Sequence, residues 1–308
     1  MKTEEGNMTI IDHNKYSPKT GAAKLGKSGN RQKAVFSIVF VIFLAYAICL
    51  LYPFFFCFNV SLMDGGRTFM RNQIAFPNPI KLGNYIKAFS ELEVNDTDFF
   101  GMLLNSVWFS FGTAFLPIFF ASMTSYVVCK YRFPGRNFLY SLVIVTMMIP
   151  IYGSLPAQYR LFDNLGMVDS PLILLYYCSG FGTNFLVIYS FFKGISWSYA
   201  EAAFLDGANE FQVFFKIMFP MAMPAVSAIF IIAFTGGWND YLTPILYMLR
   251  SFPTLASGIY LYEKKISYAS NHPVYFAGVI ISLIPILVLF GAFQNTIMSN
   301  VYAGGLKG

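Results

Sequence analysis

"AVFSIVFVIFLAYAICLLYPFFFCFNVSLM", residues 34–63, contains no Asp, Glu, Lys or Arg. About 20 apolar residues in a helix cross the hydrocarbon core of a bilayer, so this stretch can span a membrane once. Similar charge-free stretches follow at 99–129, 137–159, 170–192, 217–239 and 266–306, with His272 in the last. The pattern predicts an all-α, multi-pass membrane protein with six transmembrane helices. They are expected near 34–60, 101–128, 138–157, 171–192, 221–246 and 274–297. Pro150, Pro224, Pro244, Gly236 and Gly237 fall inside these spans. Membrane helices tolerate such residues where neighbours satisfy the freed backbone groups.

Composition agrees with that reading and argues against a soluble globular domain. Of 308 residues, 56% are hydrophobic, 19% aromatic and only 12% charged, with 35 Phe and 20 Tyr. A soluble domain carries roughly 25% charged residues, and the mean hydropathy here is +0.56. With six spans both termini share a side. Placing them in the cytoplasm puts 13 Lys and Arg there and 8 outside. The cluster Lys24, Lys27, Arg31 and Lys33 abuts the first span, where such charges set orientation most strongly. Residues 1–33 are therefore expected to form a basic, disordered cytoplasmic tail, and 34–308 the transmembrane domain. The first apolar run is too long for a cleavable signal. Cys49, Cys57, Cys129 and Cys178 have no paired spacing, and His13 and His272 are the only histidines. Neither a disulfide framework nor a metal site is expected.

The tail does carry one nucleotide-binding pattern. "GAAKLGKSG", residues 21–29, places Gly21, Gly26, Lys27 and Ser28 at the spacing of a phosphate-cradling loop. A working loop of that kind follows a buried strand and opens a helix. The preceding "DHNKYSPKT" is too polar for such a strand, and by Ala34 the chain enters the bilayer. The match is read as chance, with the lysines serving orientation.

The connection between spans four and five, "KGISWSYAEAAFLDGANEFQVFFKIMFP" (193–220), is too long for a turn and too apolar for a solvated loop. Ser198 and Glu201 have capping-box spacing, a short helix runs through Tyr199–Asp206, and Gly207 suits its left-handed end. Asn209 can cap a second helix whose Phe211, Phe214 and Phe215 share a face, and Pro220 marks the entry to span five. The residues alone allow two readings: a docking hairpin for another protein or an interfacial hairpin in lipid.

This segment resembles the EAA loop of binding-protein-dependent ABC transporter permeases. The loop runs E-A-A, three residues, G, nine residues, then I-x-L-P, and Glu201, Ala202, Ala203, Gly207, Ile217 and Pro220 match it, with Phe219 in place of Leu. "LGNYIKAF" (82–89), "YRFPGRN" (131–137), "WNDYLTP" (238–244) and "AGGLKG" (303–308) extend the resemblance over nearly the whole chain. They look like the carbohydrate-uptake permeases related to the smaller membrane subunit of the maltose transporter.

The resemblance implies a sugar or oligosaccharide importer in a bacterial cell membrane. It implies a second permease subunit as heterodimer partner, two cytoplasmic ATP-binding subunits and an extracytoplasmic solute-binding protein. ATP and Mg would bind on the ATPase subunit, leaving this chain without a cofactor, a catalytic residue or a nucleic-acid partner. Tyr199–Asp206 would be the coupling helix, Glu201 its polar contact to the ATPase and Gly207 its elbow. The end near Gly304, Gly305 and Lys307 resembles a tail that reaches between the ATPases.

A solute path is sought in span five. Asp240 is the one acidic residue flanked on both sides by spanning sequence, and a charge at membrane depth should face protein or water. Trp238, Asn239, Asp240 and Tyr241 are the candidate path residues, with structural roles as the competing reading: interface anchors for the aromatics and a helix-joining hydrogen bond for Asn239. A permease for a non-sugar solute is the main alternative. A secondary transporter fits less well, since it usually needs several intramembrane ionisable sites and internal repeats. An intramembrane enzyme lacks any H-E-x-x-H or G-x-S-x-G motif.

Overall fold

A computed structural model of the chain describes residues 30–149, 153–269 and 271–305. The "GAAKLGKSG" segment and the rest of 1–29 lie outside the described residues, as do 306–308. The described residues are helical apart from turns and one isolated bridge between Val94 and Thr97. The chain divides into two compact units, 1–53 and 54–308. In the first, the described side chains from Gln32 onward are exposed on every face. An apolar helix exposed all round suits lipid rather than water.

The helices in chain order are α1 (Asn30–Ser61), α2 (Gly65–Arg71), α3 (Gly83–Glu91), α4 (Phe99–Lys130), α5 (Arg136–Met148) and α6 (Leu155–Asn164). A 3-10 helix (Pro171–Tyr177) and α7 (Thr183–Gly194) follow, then α8 (Ser198–Leu205) and α9 (Glu210–Val213). A π-helical turn (Phe214–Met218) joins α9 to α10 (Phe219–Asn239), and α11 (Leu242–Tyr247), α12 (Leu255–Ala269) and α13 (His272–Gly305) complete the chain.

Among the described residues, four helices are long and apolar enough to cross a membrane: Gln32–Ser61, Phe99–Lys130, Glu210–Asn239 and His272–Gln294. The other two expected spans are interrupted. Over 171–192 the chain forms the 3-10 helix and α7, separated near Gly180 and Gly182. The Thr124 hydroxyl of α4 donates to the Gly180 carbonyl, and that of Ser125 donates to Phe185 at 2.9 Å. A broken helix is sustainable at depth because a neighbour satisfies its carbonyls. Over 138–157 helix α5 stops at Met148 and α6 begins at Leu155.

The expected fifth span also differs. Pro220 stands in the first turn of α10, as expected, but α9, the π-helical turn and α10 run on as one continuous rod, Glu210–Asn239. Proline lacks an N–H and its ring crowds the carbonyl four residues back. The turn just before it is wound as a π-helix, in which Phe219 N–H reaches back five residues to Phe214 O, and this loosening makes room for the ring. The rod ends at Asp240, which is extended, and α11 is a separate short helix where one span to 246 is expected.

Helix α4 is the centre of unit 54–308 and packs along α7 and α10. Its buried face is rich in small residues: Ser106, Ser110, Gly112, Thr113, Ala114, Ser122 and Ser125. Small residues let membrane helices approach closely. At the α10 crossing a Cβ on Gly237 would stand 2.5 Å from Thr113 Oγ1 and 3.2 Å from Ser110 Cα. The connections add helices that the apolar pattern does not reveal. From α3, Asn84 Nδ2 donates to the Ser61 and Met63 carbonyls at 2.8 and 2.9 Å, closing the end of α1. Glu91 accepts from Tyr262 Oη at 2.9 Å and Asn271 Nδ2 at 2.7 Å. Burial and that carboxylate push the Tyr262 phenol above its ordinary range.

Candidate coupling loop and solute pathway

The connection 193–220 folds as two helical pieces around an elbow at Gly207. Helix α8 ends there in a Schellman motif: Gly207 has φ of +84°, its N–H bonds Phe204 O at 3.0 Å, and Ala208 N–H bonds Ala203 O at 2.9 Å. Glycine adopts this left-handed backbone without the Cβ penalty. The start of α8 departs from the expected capping box. Ser198 is the first helical residue, Trp197 precedes it, and no side chain caps the helix. Instead the Ser196 hydroxyl accepts from Ser198 N–H at 3.3 Å and pairs with the Ser198 hydroxyl at 2.8 Å. A complete capping box stands one helix later, where Asn209 Oδ1 accepts from Gln212 N–H and Gln212 Oε1 from Asn209 N–H, both at 2.9 Å.

The E-A-A triplet is divided by the helix. Ala200 and Ala203 are buried, while Glu201 and Ala202 face out with Tyr199 and Leu205. Leu205 is 89% exposed and Tyr199 52%. These side chains form an exposed apolar patch beside the Glu201 carboxylate. Tyr199 and Leu205, both within the expected short helix, lie on the Ala202 face by i, i+3 spacing. The three phenylalanines also part: Phe214 is buried, whereas Phe211 and Phe215 are exposed. Ile217 is half-buried and Pro220 exposed. Between α9 and the end of α4 runs a groove of about 300 Å³, lined by Met123, Tyr126, Val127, Phe211 and Phe214. At its rim Tyr131 Oη donates to Glu210 Oε2 and lies 3.3 Å from Tyr126 Oη. Burial and the Glu210 bond push the Tyr131 phenol far above its usual range.

A sequence pattern described as binding-protein-dependent transport system inner membrane component matches residues 115–298. The chain belongs to this family. It is therefore a transport subunit of the ABC permease type and a multi-pass protein of the cytoplasmic membrane. It is similar to the arabinooligosaccharides transport system permease protein of Halalkalibacterium halodurans, at 32% identity over 78% of this chain and 85% of the relative. It is also similar to the sn-glycerol-3-phosphate transport system permease protein of Yersinia pestis, at 27% identity over 80% of this chain and 89% of the relative. The fold matches a subunit of a bacterial ABC transporter involved in alginate import. The TM-score is 0.71 at 23% identity, covering 86% of this chain and 97% of that one.

The permease's four candidate path residues are held in four different ways. Trp238 is buried, and its Nε1–H donates to Ser282 O at 3.2 Å, joining α10 to α13. Asn239 is exposed and turns back on its own helix, donating to Thr235 O at 2.9 Å. Asp240 Oδ1 accepts from Thr243 N–H at 3.0 Å and so starts α11. Tyr241 stacks on Tyr260 of α12, with centroids 4.5 Å apart and planes 17° apart, and Lys264 Nζ lies 5.1 Å from the Tyr260 ring.

Beside Asp240, where helices are interrupted, lies a partly open cavity of about 110 Å³ lined by Gln158, Phe162, Tyr176, Tyr177, Thr243 and Tyr247 among others. Tyr247 Oη donates to Gln158 Oε1 at 3.3 Å. Tyr247 also borders a second cleft, of about 220 Å³, with Asn95, Asp169 and Arg250. Polar groups at breaks in membrane helices are where transporters place solute sites. Aromatic faces with a few hydroxyls and one amide suit a neutral, hydroxyl-rich solute better than an ion.

Proposed function

We propose that this chain is the membrane-spanning permease subunit of a binding-protein-dependent ABC importer for a sugar or oligosaccharide. It crosses the membrane six times, the interrupted segments 138–164 and 171–194 each making one crossing, with both termini in the cytoplasm. Helix α8 is the coupling helix: Tyr199, Ala202 and Leu205 seat in an ATP-binding subunit, Glu201 supplies a polar contact, and Gly207 sets the elbow. A second permease subunit completes the pore, two ATP-binding subunits work on the cytoplasmic side, and a solute-binding protein delivers outside. ATP and Mg bind on those subunits and not on this chain. The observation that carries the reading is the spaced motif from Glu201 to Pro220, folded as an exposed apolar helix with a rigid Schellman end.

The solute path passes the cavity beside Asp240. Gln158, Tyr177 and Tyr247 contact the solute, and Asp240 holds α11 in place rather than touching it. The identity of the sugar-transporting relative supports the carbohydrate class, and the glycerol-phosphate relative supports a second reading, a polar non-sugar solute. Two experiments test these assignments. The full chain, purified from its own membrane, is expected to retain ATP-binding subunits and, stripped of them, to hydrolyse no ATP; hydrolysis by the chain alone refutes the division of labour. The associated solute-binding protein is expected to bind within a panel of mono- and oligosaccharides. Binding of glycerol phosphate instead selects the second reading.

A further inference from the structure

We propose that Lys130 and Tyr131 are positioning residues that sling the coupling loop from α4, making α4 the member that carries its movement across the membrane. The inference rests on the reading of α8 as the ATPase-docking helix. The loop leaves α7 at Gly194, forms α8 over Ser198–Leu205 and passes into α9 at Glu210. Both of its ends are held by two consecutive residues at the end of one other helix. Lys130 Nζ donates to Ile195 O just before α8, and Tyr131 Oη donates to Glu210 Oε2 just after it. Trp197, which precedes α8, packs edge-on against the Tyr131 ring at 5.7 Å, and Tyr126 packs on Phe214 at 5.0 Å. Both anchors involve a charged group, and such hydrogen bonds are the stronger kind.

At its other end the same helix grips a second connection. Asn105 Nδ2 donates to Pro253 O at 3.0 Å, Ser106 Oγ accepts from Leu255 N–H at 2.7 Å, and Trp108 packs edge-on against Phe252 at 5.9 Å. At 1.5 Å per residue, Ser106 and Lys130 stand roughly 36 Å apart along α4. Between the two grips α4 packs closely on α10 through small residues, and small shifts of packed helices as bodies are a common way such movement is carried. A displacement of α8 therefore reaches the 252–255 segment through hydrogen bonds at each end of one helix.

The test follows amide hydrogen–deuterium exchange in the complex purified with its ATP-binding subunits, with and without MgATP and vanadate. In the unaltered complex MgATP is expected to change exchange at the amides of 252–258. Tyr131→Phe, which removes one oxygen and keeps the ring, is expected to shrink that change about tenfold, as loss of a hydrogen bond to a charged group implies. Its ATP hydrolysis without binding protein should persist. Glu210→Gln, which keeps an acceptor, should retain most of the response, and Tyr131→Phe with Glu210→Ala should be no worse than either alone. An ATP-induced change that survives Tyr131→Phe overturns the proposal, and so does its absence from the unaltered complex. Failure of Tyr131→Phe to assemble assigns the tyrosine to folding and also overturns it. If no ATP-binding subunit accompanies the unaltered chain, the docking reading itself has failed.

Discussion

Asp240 and Gly207 are each committed to a backbone task. The Asp240 carboxylate accepts the Thr243 N–H at the start of α11, a task that an amide oxygen performs equally well. Asp240→Asn is expected to leave uptake and assembly intact, whereas Asp240→Ala should cost about 0.5–2 kcal/mol, the usual loss for a missing cap. Thermal unfolding of the complex in detergent, read beside uptake, separates the two; loss of uptake in the Asn variant would place the charge in the solute path. Gly207 has open space around its missing Cβ, so the obstacle to substitution there is its φ of +84°. A residue with a side chain costs about 1–2 kcal/mol in that conformation. Gly207→Arg, which adds bulk at the exposed elbow, is expected to abolish uptake with the chain still in the membrane. Membrane fractionation and transport assays check this.

At the scale of elements, the long helices follow from apolar length, and the breaks follow from what neighbours can supply. Helix α4 could be read directly, because the charge-free run 99–129 sets its length; its 32 residues, Phe99–Lys130, follow the Asp98 cap, whose side chain accepts from Gly101 N–H. The break in 171–192 could not, because the Gly180 carbonyl at the break is met by the Thr124 hydroxyl of another helix. The α8 cap was misplaced for a similar reason: Ser198-x-x-Glu201 has the right spacing, but Trp197 enters in helical conformation and moves the start by one residue. The α4–α10 crossing is expected to be intolerant of bulk. Gly237→Leu places a Cβ within 2.5 Å of Thr113 Oγ1 and should destabilise the unit by about 1–3 kcal/mol, as overpacking does. A lowered unfolding midpoint with unchanged membrane insertion is the expected result.

The whole molecule assembles what no segment contains. The cavity beside Asp240 draws Gln158 from α6, Tyr177 from the 3-10 helix and Tyr247 from α11. None of these residues stands out by spacing, since each is a common residue in its own stretch. Gln158→Leu removes the acceptor of Tyr247 and one polar wall of the cavity. It is expected to reduce uptake while ATP-binding subunits still co-purify; wild-type uptake would move the path elsewhere. The long-range ties from α4 to the 252–255 segment, and from Glu91 to Tyr262 and Asn271, likewise join residues far apart in the chain.

The amino-acid sequence by itself determined the solvent and the class of this protein, and the place of the 193–220 connection between its helices. Runs without charge can only be buried in lipid or protein, and the spacing from Glu201 to Pro220 is local enough to be read along one strand of text. Tertiary structure alone decided which helices break, which way Tyr199 and Leu205 face, and where polar groups converge. Those outcomes depend on which neighbour satisfies a carbonyl or fills a groove. That is a property of packing between segments, and periodicity within a segment does not encode it.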